Sequence, residues 1–196
     1  MMQSIETMEL FRKSGALLEG HFQLTSGLHS DQYFQCALIL QYPDYTEILC
    51  RELIERMPVK PDEISTVVSP AVGGIIVGQE IARQLKKRSI FAERQEGRMM
   101  LRRGFKLEPG EKVLVTEDVI TTGGSVKEVV ELVRECQADP VLALSIVDRS
   151  GGSCDLGIPY LSNLTIQVKA FKPDECPLCR QNIPVYKPGS RHLSKP

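Results

Sequence analysis

Residues 113 to 125, Val-Leu-Val-Thr-Glu-Asp-Val-Ile-Thr-Thr-Gly-Gly-Ser, place two adjacent carboxylates and a small-residue turn between a buried strand and a helix. Val113, Leu114 and Val115 form the short apolar, β-rich run of a strand covered on both faces. Glu117 and Asp118 follow at its carboxyl end, where ligands of open α/β sheets bind. Thr121, Thr122, Gly123, Gly124 and Ser125 then offer hydroxyl donors and, where glycine removes Cβ, backbone N–H groups open to close approach by a phosphate. Ser125 with Glu128 fits an S-x-x-E capping box, and Val126, Val129, Val130 and Val133 have the spacing of one helical face. An anion in this turn would sit on a helix N-terminus.

The paired acids narrow the anion. A P-loop requires G-x-x-x-x-G-K-[ST] and a dinucleotide fold requires G-x-G; the chain has no Gly-Lys dipeptide and no G-x-G. Two carboxylates ahead of a phosphate turn suit a ligand bearing a phosphate and, a few ångströms away, vicinal hydroxyls or a hydrated Mg²⁺. A ribose 5-phosphate meets that description. The plainer alternative is a solvated βα turn with incidental acids, since helix N-termini favour such residues anyway.

A chain of 196 residues with 42% hydrophobic content can fill one sizeable core, so the expectation is a single domain over residues 1–196. The formal net charge of −1 gives no broad footprint for nucleic acid or an anionic membrane, so phosphate affinity must come from local placement. Met1-Met2-Gln3-Ser4-Ile5-Glu6 lacks a basic region followed by an apolar run, and no long apolar stretch follows elsewhere; the expected location is the cytoplasm.

Periodicity predicts helices over 5–18, 45–57, 74–87 and 125–137, and strands over 66–69, 89–93, 112–116 and 141–147. Repeated βα units of this size imply an α/β fold with a parallel, doubly wound sheet. Residues 23–40 read as extended and turn-rich around Ser26-Gly27. Residues 172–196, punctuated by prolines, read as an irregular arm.

Six cysteines are too sparse for a disulfide scaffold, and Cys36, Cys50, Cys136 and Cys154 are scattered. Cys176-Pro177-Leu178-Cys179 differs, because C-x-x-C can hold one edge of a tetrahedral zinc or act as a redox pair. Completion of a metal site would fall to Cys154 or His192, whose spacing matches no zinc motif, so a tight reduced turn is the favoured reading.

The 113–125 segment resembles the phosphoribosyl-pyrophosphate (PRPP) signature of the type I phosphoribosyltransferases: four apolar residues, two acids, an apolar pair, then a Thr/Gly-rich turn. Further segments resemble the orotate phosphoribosyltransferases. Phe22-Gln23-Leu24-Thr25-Ser26-Gly27 with Asp31-Gln32-Tyr33-Phe34 is similar to the family's N-terminal hood, and Ser69-Pro70-Ala71-Val72-Gly73-Gly74 to its pyrophosphate loop. Phe91-Ala92-Glu93-Arg94 is similar to the start of its mobile catalytic loop, and Ser145-Ile146-Val147-Asp148-Arg149 to the strand whose arginine binds the orotate carboxylate.

The resemblance implies the type I phosphoribosyltransferase fold, a mainly parallel sheet flanked by helices with a small hood built from residues 1–42. It implies transfer of phosphoribose from PRPP to orotate, giving orotidine 5′-monophosphate and pyrophosphate for pyrimidine nucleotide synthesis. Mg²⁺ would be held mainly through PRPP and water near Glu117 and Asp118, with no direct protein ligand. Glu117, Asp118, Val119, Ile120, Thr121, Thr122, Gly123, Gly124, Ser125 and Arg94 would bind PRPP; Thr121, Arg149, Tyr33 and Phe34 would bind orotate. Glu117, Asp118, Arg94 and Arg98 would serve catalysis, the arginines from a flexible lid over 94–106 shared across a homodimer. Against these stand plainer roles: Arg149 as a surface cation paired with Asp148, Tyr33 and Phe34 as core aromatics, the basic run as a solvated loop.

The chain departs from the family at Thr25, Gly73 and Gln95, where lysine is common. Two other functions stay open. One is transfer to another purine or pyrimidine base, and the other is a PRPP-sensing regulator of the same fold.

Overall fold

A computed structural model describes residues 2–24, 26–167 and 169–188, which leaves Thr25 and His192 outside the described residues. Helix α1 spans Met2–Lys13. It stops short of the predicted residue 18 because Gly15 turns into the left-handed region at φ 70° and Ala16 N donates back to the Phe11 carbonyl. Leu17 and Leu18 thereby enter a strand. β1 (Leu17–Gln23) and β2 (His29–Phe34) form an antiparallel hairpin, a separate two-stranded sheet, with a bulge between Glu19 and Phe22. The short helix α2 (Cys36–Leu40) follows where an extended segment was expected, and α3 (Pro43–Arg56) starts on a proline at its first turn.

The remaining elements are β3 (Thr66–Pro70), α4 (Gly73–Leu85), β4 (Arg88–Gln95), β5 (Arg98–Leu101), β6 (Lys112–Ile120), α5 (Gly124–Glu135), β7 (Asp139–Asp148) and β8 (Tyr160–Thr165), of which all but β5 and β8 follow the predicted order. They make one six-stranded sheet in the order β5-β4-β3-β6-β7-β8, parallel throughout except for β5. Residues 98–101 were expected in a flexible lid. They pair instead with β4 from Ala92↔Leu101 to Gln95↔Arg98, because the left-handed residues Glu96 and Gly97 close a tight hairpin.

Both faces of the central strands are buried, which explains their continuous apolar character. Leu114 joins Phe11, Leu49, Leu53 and Ile81 on the face carrying α1, α3 and α4. Val113 and Val115 join Val126, Val129, Val130 and Val133 beneath α5. Burying each such valine contributes about 1.5–3 kcal/mol, so α5 is pinned and its N-terminus fixed at the end of β6. Among the described residues no helix is long and apolar enough to cross a membrane.

The C-terminal arm follows the hairpin. Phe171 and His29 exchange backbone hydrogen bonds at 2.8 Å, and Tyr186 bonds to His21 and Gln23 at 2.7 and 2.8 Å. Between these anchors runs the single-turn helix α6 (Pro177–Arg180), which contains the tight turn expected at Cys176–Cys179.

Candidate active site

At the carboxyl end of β6, Glu117 is buried and Asp118 lies against the start of α4. A Cβ added at Gly73 would stand 2.5–2.7 Å from the Asp118 carboxylate, and one at Gly74 would stand 3.0 Å from Glu117 Oε1. Glycine lets the 69–74 loop come this close without displacing the Asp118 carboxylate, at the position where the family commonly has lysine. Asp118 N donates to Glu117 Oε1 at 3.0 Å, and Val119 N to Asp118 Oδ1 at 2.9 Å. Burial first, and then the hydrogen bond and charge of Asp118, push the Glu117 carboxyl up to about 9. Glu117 therefore holds a proton near neutral pH in the free protein.

The turn after β6 encloses a small cavity of about 70 Å³ lined by Glu117 and residues 119–126. Gly123 is the residue before α5, at φ 75°, and a Cβ there would run into Cys154 Sγ and Leu156. The expected Ser125–Glu128 capping box does not form. Helix α5 begins one residue earlier than predicted, so Ser125 lies within its first turn, and Glu128 accepts a hydrogen bond from Arg94 Nη2 at 2.7 Å. The N-cap residue Gly123 offers no capping side chain, and the first turn of α5 lines the cavity, which makes its N-terminal N–H groups a candidate anion site.

A larger cleft of about 480 Å³ adjoins it, lined by Leu24, Ser26, Tyr33, Thr121, Thr122 and Arg149. Thr121 and Thr122 line both spaces and join them. Arg149 lies with its Cζ 5.8 Å from the Tyr33 ring centroid, and its Nε is buried without a hydrogen-bond partner. Burial lowers its pKa, opposed by Tyr33 and Cys36. Asp148 is not its partner. That carboxylate accepts from Ser150 N at 2.7 Å, Gly152 N at 2.9 Å and the Tyr160 hydroxyl at 3.2 Å, on the other side of the strand end. The sequence offered Tyr33 and Phe34 to the base while alternation along a strand sends one of them inward, and the inward one is Phe34. Phe34 is 3% exposed and packs edge-on against Phe11 at 5.8 Å, because successive strand residues point to opposite faces.

Residues 44–155 match the phosphoribosyl transferase domain family. An orotate phosphoribosyltransferase of Pelotomaculum thermopropionicum is 56% identical over 188 residues, covering 96% of this chain and 98% of that protein. One from Thermotoga maritima is 52% identical, covering 94% and 98%. The chain belongs to the orotate phosphoribosyltransferase family. Among solved structures, the orotate phosphoribosyltransferase of Aeropyrum pernix aligns with a TM-score of 0.67 at 25% identity over 79% of this chain and 90% of that one. An adenine phosphoribosyltransferase shares the fold, with a TM-score of 0.61 at 19% identity over 81% of this chain and 99% of that one.

The two lid arginines named from the family resemblance stand apart from both cavities. Arg94 bonds to the Gly97 carbonyl at 2.7 Å and to Glu128, and Arg98 lines a shallow groove with Glu128, Glu131 and Glu135 on the outer side of α5. The hairpin holds them there, since β4 and β5 form one edge of the sheet. Leu24 and Ser26, in the hood turn, line the base-side cleft, and the Ser26-Gly27 turn signal marked their position. The fit of Gly73 to Asp118 has no local signal, because it depends on two strands meeting.

Proposed function

We propose that this chain transfers the 5-phosphoribosyl group from PRPP to N1 of orotate, releasing orotidine 5′-monophosphate and pyrophosphate in the cytoplasmic synthesis of pyrimidine nucleotides. The observation carrying the base assignment is Arg149: a half-buried guanidinium with an unpartnered Nε at a cleft that shares Thr121 with the phosphate cavity. A planar carboxylate satisfies such a fork with charge-assisted hydrogen bonds, and neither adenine nor hypoxanthine carries one. Tyr33 would stack against the pyrimidine while Leu24 and Ser26 close the cleft.

On this reading, residues 121–125 and the N-terminus of α5 anchor the 5′-phosphate, and Val119 and Ile120 shape the floor of that cavity. Glu117 and Asp118 hold the ribose hydroxyls and fix the sugar beside the base. Mg²⁺, carried mainly on PRPP and water near the two carboxylates, supplies charge neutralisation at the pyrophosphate. Breaking the C1–O bond builds positive charge on the ribose, and the Asp118 carboxylate would stabilise that charge without a covalent intermediate. The 69–74 loop, pressed against Asp118, offers backbone to the leaving group.

Arg94 and Arg98 would reach a site by hairpin movement, in this chain or across a dimer. The Arg94–Glu128 pair is exposed and therefore weak, so it exchanges readily for a pyrophosphate partner. A homodimer is supported by the exposed side chains of Tyr42, Ile48, Val72 and Ile76 and by an apolar groove of about 320 Å³ between α2, α3 and α4. Sedimentation should give twice the chain mass. No nucleic-acid or membrane partner is proposed, in keeping with the net charge of −1.

The test is consumption of orotate by the purified protein with PRPP and Mg²⁺, followed as loss of orotate's ultraviolet absorbance. Competition by uracil, hypoxanthine or guanine should be weak. Turnover of one of those bases in place of orotate would overturn the base assignment.

A further inference from the structure

Four metal-ligating side chains outside the active site converge where the C-terminal arm crosses the hood hairpin. They come from three elements: His21 from β1, His29 from β2, and Cys176 and Cys179 from the turn that opens α6. Their ligand atoms all lie within 4.8 Å of one another. His21 Nε2 is 2.8 Å from His29 Nδ1, 3.5 Å from Cys176 Sγ and 3.7 Å from Cys179 Sγ, and Cys179 Sγ is 3.3 Å from His29 Nδ1. A tetrahedral zinc with Zn–N of about 2.0–2.1 Å and Zn–S of about 2.3 Å has edges of about 3.3 Å between nitrogens and about 3.6 Å between nitrogen and sulfur. The sulfur–nitrogen separations already meet that figure. The two histidines need to part by only about 0.5 Å to admit the ion.

Protonation and burial are also those of a ligand set. His21 Nδ1 lies 2.7 Å from the Ile183 carbonyl, so this nitrogen carries the proton and donates it, which leaves the Nε2 lone pair aimed into the cluster. A histidine ligand is commonly oriented in this way by a carbonyl behind it. His21 and His29 are 4% and 6% exposed and Cys176 is fully buried, so water has little access. Both cysteines are free thiols. A divalent ion with two thiolates and two neutral imidazoles is net neutral, which is the condition for holding charge in a buried place. Sulfur and imidazole together select zinc over Mg²⁺ or Ca²⁺.

We propose that His21, His29, Cys176 and Cys179 bind one structural zinc ion that fastens the C-terminal arm to the hood hairpin. The sequence offered Cys154 or His192 as completing ligands. Cys154 instead lies against the phosphate turn at Gly123, and His192 lies outside the described residues. The true partners were hidden because His21 and His29 are separated by the hairpin loop and stand 147 residues or more before Cys176. Binding replaces the two thiol protons, which leave to solvent, and involves no redox change. The consequence reaches the active site, since the loop between the two histidines carries Leu24 and Ser26 of the base cleft. Backbone hydrogen bonds, the bond from His21 to the Ile183 carbonyl and the Phe22–Tyr186 ring contact join arm and hairpin, and the metal adds a rigid crosslink to them.

The full chain, produced with zinc in the medium and separated from loosely bound metal, should carry one zinc per chain by elemental analysis. Cobalt substitution should give the visible absorption of a tetrahedral ion and a thiolate charge-transfer band. Cys176 and Cys179 should resist alkylation until a chelator is added, whereas Cys136 reacts in either condition. The double variant C176S/C179S should lose the metal, melt lower, and show a several-fold higher KM for orotate with little change for PRPP. Should that variant fail to fold, the wild-type metal content, cobalt spectrum and alkylation pattern still decide. Substoichiometric zinc without the charge-transfer band, or a Cys176–Cys179 disulfide by mass, overturns the site. A variant that loses zinc yet keeps its melting temperature and orotate KM overturns the fastening role.

Discussion

The phosphate cavity is lined by a single stretch, Glu117 to Val126, whereas the base cleft takes Leu24, Ser26 and Tyr33 from the hairpin, Thr121 from the cavity and Arg149 from beyond the end of β7. The first is a local structure: a strand, a turn and a helix whose geometry follows from their own residues and from α5 packing on the sheet. The second exists only after the chain has closed on itself. Its parts are held by neighbours with no role in chemistry, such as Phe11 behind Phe34 and the arm behind β1 and β2. Damage to support should therefore harm the base half through stability, while damage to the phosphate half should appear directly in turnover.

The largest expected effect tests that division at adjacent residues. Phe34→Ala removes a buried ring packed on Phe11 and should cost about 3–5 kcal/mol of stability, read as a lower denaturant midpoint. Tyr33→Ala, at the cleft, should leave the midpoint close to wild type and raise the orotate KM. Equal loss of stability in both variants would erase the distinction between core and site.

Next is the contiguous half. Asp118→Asn keeps the shape of the side chain and removes its charge from the ribose, so kcat should fall by ~10²–10³-fold with stability little changed. A variant turning over at the wild-type rate would remove Asp118 from the chemistry. Arg149→Ala should be milder and differently distributed. Losing hydrogen bonds to a charged group worth about 1.5–3 kcal/mol raises the orotate KM by ~10- to 150-fold, with PRPP binding unaffected. If KM for PRPP rose in parallel, the two halves would not be separable at this residue.

The same contrast explains what could be read from the sequence. Strands β3, β4, β6 and β7 and helices α3, α4 and α5 were legible because each carries its own periodicity and is covered by the sheet or its helices. The phosphate turn was legible for the same reason. In the hairpin only β2 was read as extended chain; residues 17 and 18 fell in the helix predicted over 5–18 and Glu19, Gly20 and His21 break any alternation in β1, while β8 was missed because Ser162 and Asn163 make it polar despite burial. The hairpin within the expected lid was hidden for a more instructive reason. Clustered arginines and glycines resembled a mobile loop, but Gly97 makes a tight turn and each of Arg94 and Arg103 finds a carboxylate, Glu128 and Glu93, that sequence could not place beside it. Pairings between distant residues were the illegible part throughout, from Arg94–Glu128 to Gly73 against Asp118.

The last expected effect, read across a range of pH and not at one condition, concerns the proton on Glu117. Its carboxyl is pushed up to about 9 in the folded chain, against an ordinary value of 4.5, so folding takes up a proton at any pH between the two. Below 4.5 both states are protonated and Glu117 opposes folding least. As pH rises through the window the unfolded chain ionises while the folded one does not, and stability falls until the folded carboxyl also ionises near 9. Glu117→Gln cannot titrate, so the difference in melting temperature between variant and wild type should widen in the variant's favour as pH is raised across this range, isolating Glu117 from other groups. Ligand binding should draw on the same proton. If ribose hydroxyls donate to Glu117 they favour its ionised form, and titration of the wild type with PRPP and Mg²⁺ in buffers of different ionisation enthalpy should register proton release near neutral pH, absent in Glu117→Gln. No release, with the pH-dependent stability difference intact, would mean that Glu117 stays a hydrogen-bond donor in the complex, leaving Asp118 as the sole charge facing the ribose.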